Sequence, residues 1–226
     1  MEEKLKPLRY QLAWVFFFSI WMAYLESAVV VYLRALYYPD GFSFPIKFIP
    51  IPMAFIELGR EAATIFMLLA IGFLAGKKAW TRLAYFMFSF GVWDIWYYVW
   101  LKIFLNWPES LLTWDLLFLI PVPWSGPVLA PVIVSLSLIG GAVIVLNLEH
   151  QGIEFKLTKW EWFVLVIAPV LIFISFILEA PKILRLEVPT VYHWELLILG
   201  ELIGIGVLLR AVRRLKNRES ASDSQP

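Results

Sequence analysis

No cysteine occurs anywhere in the chain. That excludes disulfides, cysteine-ligated clusters, covalent c-type haem and a thiol nucleophile. Histidine is nearly as scarce, with only His150 and His193 present. Histidine-rich di-iron chemistry and a three-histidine zinc site therefore fail on count. GxSxG, HExxH, P-loop and Rossmann signatures are also missing, and the sequence assigns no cofactor. Charge is sparse, at 16% of 226 residues with a net of +1, so no global field points to nucleic acid.

Apolar residues fill the space these absences leave. The chain is 61% hydrophobic and 17% aromatic, with 12 tryptophans, and its mean hydropathy is +0.77. A soluble domain has about half its residues apolar and about a quarter charged. Tryptophan and tyrosine in this abundance suit a chain that meets the lipid–water interface repeatedly.

A helix crosses the hydrocarbon core with about 20 mostly apolar residues. Six segments qualify: Leu12–Leu33, Met53–Ala75, Ala84–Phe104, Val128–Leu146, Trp162–Leu178 and Leu196–Val212. The fifth carries Pro169, which predicts a kink. Lys4, Lys6 and Arg9 precede the first run as in a signal peptide, but the run continues to Leu33 with no small-residue cleavage site, so a retained helix is expected. Leu111–Ile120 is apolar but too short to span. It follows Pro108 and Ser110 and ends at Pro121, which predicts an interfacial or re-entrant helix.

Positive residues orient the spans. Lys4, Lys6 and Arg9 precede the first; Lys77, Lys78 and Arg82 lie between the second and third. Lys156 and Lys159 lie between the fourth and fifth, and Arg210, Arg213, Arg214, Lys216 and Arg218 close the sixth. The alternate loops hold fewer: Lys47, then Lys182 and Arg185. The expected fold is thus an all-α integral membrane protein, a single six-helix transmembrane bundle over residues 1–218. Both termini are expected in the cytoplasm, in the plasma (inner) membrane if the source is prokaryotic. Residues 219–226, small and polar, are expected to form a disordered tail.

Charged groups at membrane depth cost several kcal/mol by the lowest estimates. The first span nevertheless holds Glu26, the second Glu57, Arg60 and Glu61, the third Asp94 and the sixth Glu201. With alternating directions and a rise of about 1.5 Å per residue, all these carboxylates fall at or outside the midplane. Glu57, Arg60, Glu61 and Thr64 share one helical face. Gly91 and Tyr98 flank Asp94 on its own face, offering room and a hydroxyl donor. Ser19 and Ala23 lie below Glu26, and Glu201 lies between Gly200 and Gly204, a spacing that lets another helix come close.

Five acids against Arg60 and Arg34 leave carboxylates that must be protonated, hydrated or cation-bound. Asp94, Glu57, Glu61 and Glu26 are the candidate acid–base or relay cluster, with Arg60 as charge partner, Tyr98 as hydrogen-bond donor and Glu201 as an outlying member. His193 with Glu195 is the one place where a metal is conceivable, against the simpler reading of an interfacial histidine beside an exposed acid. Three functions fit. One is a membrane-embedded enzyme or binding protein for a lipid-like or isoprenoid substrate. The others are a proton- or cation-coupled transporter and an accessory subunit whose charges hold helices together. The bilayer is the only partner the sequence names.

Overall fold

The structure, a computed structural model, describes residues 8–47 and 49–223. Seven helices and one hairpin follow in order: α1 (Leu8–Tyr37), α2 (Ile51–Ala75), α3 (Ala79–Leu105), β1 (Trp114–Phe118), β2 (Trp124–Pro127), α4 (Leu129–His150), α5 (Lys159–Ile177), α6 (Ala180–Leu184) and α7 (Trp194–Asp223). Each of the six long apolar segments lies in a long helix. α5 runs through Pro169 as one helix, and a turn at Leu178 and Glu179 separates it from the single turn of α6. α7 continues as far as Asp223, so residues 219–223, expected to belong to a disordered tail, are helical, and the rest of that tail lies outside the described residues.

Among the described residues, four stretches are long and apolar enough to cross a membrane: α1, α2, α4 and Lys159–Leu184. Their outer faces match, with Trp14, Trp21, Phe55, Phe66, Leu74, Leu136 and Phe163 all exposed. An apolar exterior of this extent is compatible with lipid. α3 and α7 are long enough but less apolar. Tryptophan and tyrosine lower the hydropathy of α3, and Glu195, Glu201 and Arg210 interrupt α7.

The segment after α3 departs from expectation. Leu111–Ile120 contributes no helix; residues from it form the first strand of an antiparallel hairpin. Trp114 pairs with Pro127, Asp115 with Gly126, Leu116 with Ser125 and Phe118 with Trp124, with a bulge between Leu116 and Phe118. A short apolar run has no period long enough to separate strand from helix. Here the Pro121–Pro123 turn folds a second extended segment back onto it. The backbone donors of Val128 and Leu129 reach the carbonyls of Thr113 and Leu111 at 3.0 and 2.7 Å, which seats the hairpin on the start of α4. Gly126 is required there, because a Cβ would lie 2.7 Å from the Tyr192 ring.

α3 is the central element, packed against α1, α2 and α4, while α5 and α7 form a second pair that meets α4 through α7. Small residues set these approaches. A Cβ on Gly91 would sit 2.6 Å from the Ser135 carbonyl of α4, and one on Gly72 would sit 2.6 Å from the Arg82 carbonyl of α3. Gly200 meets α5 in the same way, at the Ala168 carbonyl. At the end containing the start of α1, the bundle is filled by Leu8, Val15, Tyr85, Phe88, Val145, Leu146 and Leu215. The opposite end, between α1, α2, α3 and the hairpin, is hollow.

Candidate functional site

The hollow is a cavity of about 420 Å³, within the range of roughly 300–1,000 Å³ typical of small-molecule sites. Three helices and the hairpin contribute ionisable groups to its wall: Glu26 and Arg34 from α1; Glu57, Arg60 and Glu61 from α2; Asp94 from α3; Asp115 from β1. Lys47, in the α1–α2 connection, joins them at the rim. The rest is apolar and largely aromatic, including Trp93, Tyr97, Tyr98, Phe42 and Phe118.

Helical spacing explains the convergence. On α1 the buried residues Ser19, Met22, Ala23, Glu26 and Ser27 form one stripe, held against α3 by Ser19 Oγ to Ser89 Oγ at 2.9 Å and by Ser27 Oγ donating to the Tyr97 carbonyl at 3.1 Å. On α2 the buried stripe is Glu61, Thr64, Leu68 and Gly72. On α3, Gly91, Asp94, Tyr98 and Leu101 recur at the same three-to-four spacing.

The acids are held in different ways. Arg60 pairs with Glu26 across to α1 and with Glu57 on its own helix, its Nε donating to Glu57 Oε2 at 3.0 Å. Thr64 Oγ1 donates to the other Glu26 oxygen at 2.9 Å. Glu61 accepts the backbone N–H of Leu119 at 2.9 Å, so this carboxylate fastens the chain just beyond β1 to α2. Arg34 meets Asp115 Oδ1 at 3.3 Å and lies over the Trp107 and Phe42 rings at 3.7 and 4.6 Å. Asp94 receives the Ser135 hydroxyl at 2.8 Å, and no salt bridge reaches it among the described residues.

Glu26, Glu57, Arg60, Glu61, Asp94 and Tyr98 therefore line one space. Glu201 does not line it; it faces Ser137 of α4 from α7. His193 Nδ1 and Glu195 Oε1 meet at 2.8 Å on the exposed start of α7. Glu179 is occupied separately by Lys182 and the Thr190 N–H, each at 2.8 Å. No group of three or more histidine or carboxylate side chains could hold a metal among the described residues, so His193 and Glu195 have no third ligand beside them.

Asp115 is the site residue that sequence reasoning missed. It is 1% exposed, although it lies in a segment expected to rest at the interface. An acid inside an otherwise apolar run was the available signal, since such a residue is buried only with a partner. The Tyr98 hydroxyl lies beside Asp115, but neither it nor Asp115 Oδ2 makes a hydrogen bond of full geometry, and Trp93 Nε1 has no partner. All three residues line the cavity. Fold and site together describe a helical protein with four stretches fit to cross a membrane and an acidic, aromatic-walled cavity at one end. Family models, curated proteins and solved structures contain no match to this chain.

Proposed function

We propose that the chain is a six-span membrane protein, with both termini cytoplasmic, that binds a lipid-like molecule in this cavity and exchanges protons with it. The observation that carries the reading is the assembly of carboxylates from α1, α2, α3 and β1 around one largely apolar volume. Asp94 is the group proposed as general acid or base. Glu26 and Glu57 are engaged by Arg60, Asp115 by Arg34, and Glu61 by the Leu119 N–H. Asp94 has a single hydroxyl donor, which leaves it the freest to take or give a proton. Arg60 tunes the charge of the neighbouring pair.

The apolar core at the opposite end supports a one-sided site over a relay crossing the whole bundle. With the termini inside, the positive residues between α2 and α3 and after α4 share the cytoplasmic face, and the cavity belongs to the outward half. A purely structural role has specific support too, because Arg60 ties α1 to α2, Arg34 ties α1 to β1 and Glu61 ties α2 to the chain beyond β1. The test is the membrane lipid profile of cells lacking the chain, complemented with the wild type or with Asp94→Asn. The variant should accumulate normally in the membrane yet leave the profile of the deletion. If Asp94→Asn restores the wild-type profile, Asp94 has no chemical role. If it fails to accumulate, the structural role replaces the chemical one.

A further inference from the structure

The charges around the cavity do not balance. Glu26, Glu57, Glu61, Asp94 and Asp115 face Arg34 and Arg60 inside it, and Lys47 stands at the exposed rim over the Tyr38 ring. Both guanidinium groups are already paired. Glu61 has its backbone donor. The acceptors left open cluster around Tyr98. Asp94 lies one helical turn before it, and Asp115 Oδ2 beside it makes no hydrogen bond of full geometry, with the Tyr98 hydroxyl as its neighbour. Asp115 is 1%, Asp94 7% and Tyr98 6% exposed. A buried acceptor without a donor costs about 1–3 kcal/mol, more when charged, and a donor that also carries positive charge removes both penalties at once.

We propose that the ligand of this cavity carries an ammonium group, seated between Asp94 and Asp115 against the Tyr98 hydroxyl, with an apolar chain along the aromatic wall. This deepens the lipid-binding reading and rests on it. The ammonium supplies hydrogen bonds to Asp94 and to Asp115 Oδ2 and brings the cavity nearer neutrality. The faces of Trp93 and Tyr97, on the same side of α3, add the attraction that aromatic rings offer a cation. Trp93 Nε1, an unpartnered donor on the cavity wall, suits an oxygen elsewhere on the same molecule. An anionic head group would instead meet the acids with both arginines already engaged.

The experiment is equilibrium binding of radiolabelled dodecylamine to the purified full chain in a non-ionic detergent at neutral pH. Dodecyltrimethylammonium, dodecanol and dodecyl phosphate serve as competitors. The expected result is one saturable site, with dodecyltrimethylammonium, which has the charge but no N–H donor, weaker than the primary amine, and the alcohol and phosphate at least about tenfold weaker. Asp94→Asn and Asp115→Asn should each weaken binding about tenfold or more, while Glu154→Gln, at the far end of the molecule, binds as wild type. Competitor selectivity on the wild type keeps the test decisive should either asparagine variant misfold. If dodecanol competes as well as the amine, or dodecyl phosphate competes better, the ammonium assignment is overturned and the lipid-binding reading stands. If no probe binds saturably, both fall.

Discussion

Arg60→Met removes the one cation that serves both Glu26 and Glu57, and its cost can be worked from the geometry. The Arg60 side chain is 19% exposed, Glu26 8% and Glu57 12%, so none of the three is well screened by solvent. Breaking a buried pair by deleting one partner costs roughly 3–5 kcal/mol. Protonation sets a ceiling, since placing a proton on an ordinary glutamate at neutral pH costs about 3.7 kcal/mol. One proton between the two acids relieves most of their repulsion, and Thr64 still donates to Glu26. The expected loss is therefore about 3–3.5 kcal/mol, the lower part of that range.

The glutamine replacements separate charge from shape. Adding Glu26→Gln to Arg60→Met should recover about half the loss, and adding Glu57→Gln as well should bring stability to within about 1 kcal/mol of wild type. Reversible unfolding of the detergent-solubilised protein, read by loss of helical ellipticity, measures each step. A loss below about 1 kcal/mol for Arg60→Met, or no recovery with both glutamines, would refute the idea that Arg60 neutralises a buried acid pair.

Three further outcomes follow from other contacts. Gly91→Ala forces a Cβ to within 2.6 Å of the Ser135 carbonyl. The α3–α4 approach must open, at about 1–3 kcal/mol in the same unfolding assay, and the Ser135–Asp94 hydrogen bond is lost with it. Glu61→Gln keeps an acceptor for the Leu119 N–H and should change little, whereas Glu61→Leu leaves that donor bare. The leucine should cost about 1–3 kcal/mol and speed amide exchange at Leu119. At the other end, Lys78 Nζ donates to Glu149 at 2.7 Å, a contact that holds the lysine above its ordinary value of 10.5. Its contribution is present at neutral pH and disappears as pH rises through the folded-state value, so wild type and Lys78→Gln should converge in stability only in strong alkali.

The helices were legible because their apolar runs are long, and the shared faces were legible because helical spacing is rigid. Glu57, Arg60, Glu61 and Thr64 on α2, and Asp94 with Tyr98 on α3, point where their spacing says they should. The hairpin was not legible, and Asp115 went with it. Once Trp114–Phe118 is a strand, its partner Trp124–Pro127 and the turn between them bring Asp115 to Arg34, a pairing no local pattern encodes. Glu201 failed for a related reason. The Gly200 notch is real, but α5 occupies it at the Ala168 carbonyl, and the adjacent carboxylate is thereby turned towards Ser137 of α4. Spacing identifies a face; only the packing partner decides what that face meets.

The packing around α3 bears on the six spans we propose. It is not itself among the four stretches fit to cross the bilayer, yet three of those, α1, α2 and α4, surround or adjoin it. A helix walled by protein has little need of lipid-compatible side chains, and if α1, α2 and α4 cross the membrane α3 is carried across with them. The absence of cysteine makes this directly measurable, because a single introduced thiol labels without background. Ser43→Cys and Glu109→Cys should react with an impermeant maleimide on intact cells, while Lys77→Cys and Glu154→Cys should react only after permeabilisation. Lys77 and Glu109 flank α3, so labelling of both from the same side would remove α3 from the membrane, and the outward-facing cavity with it.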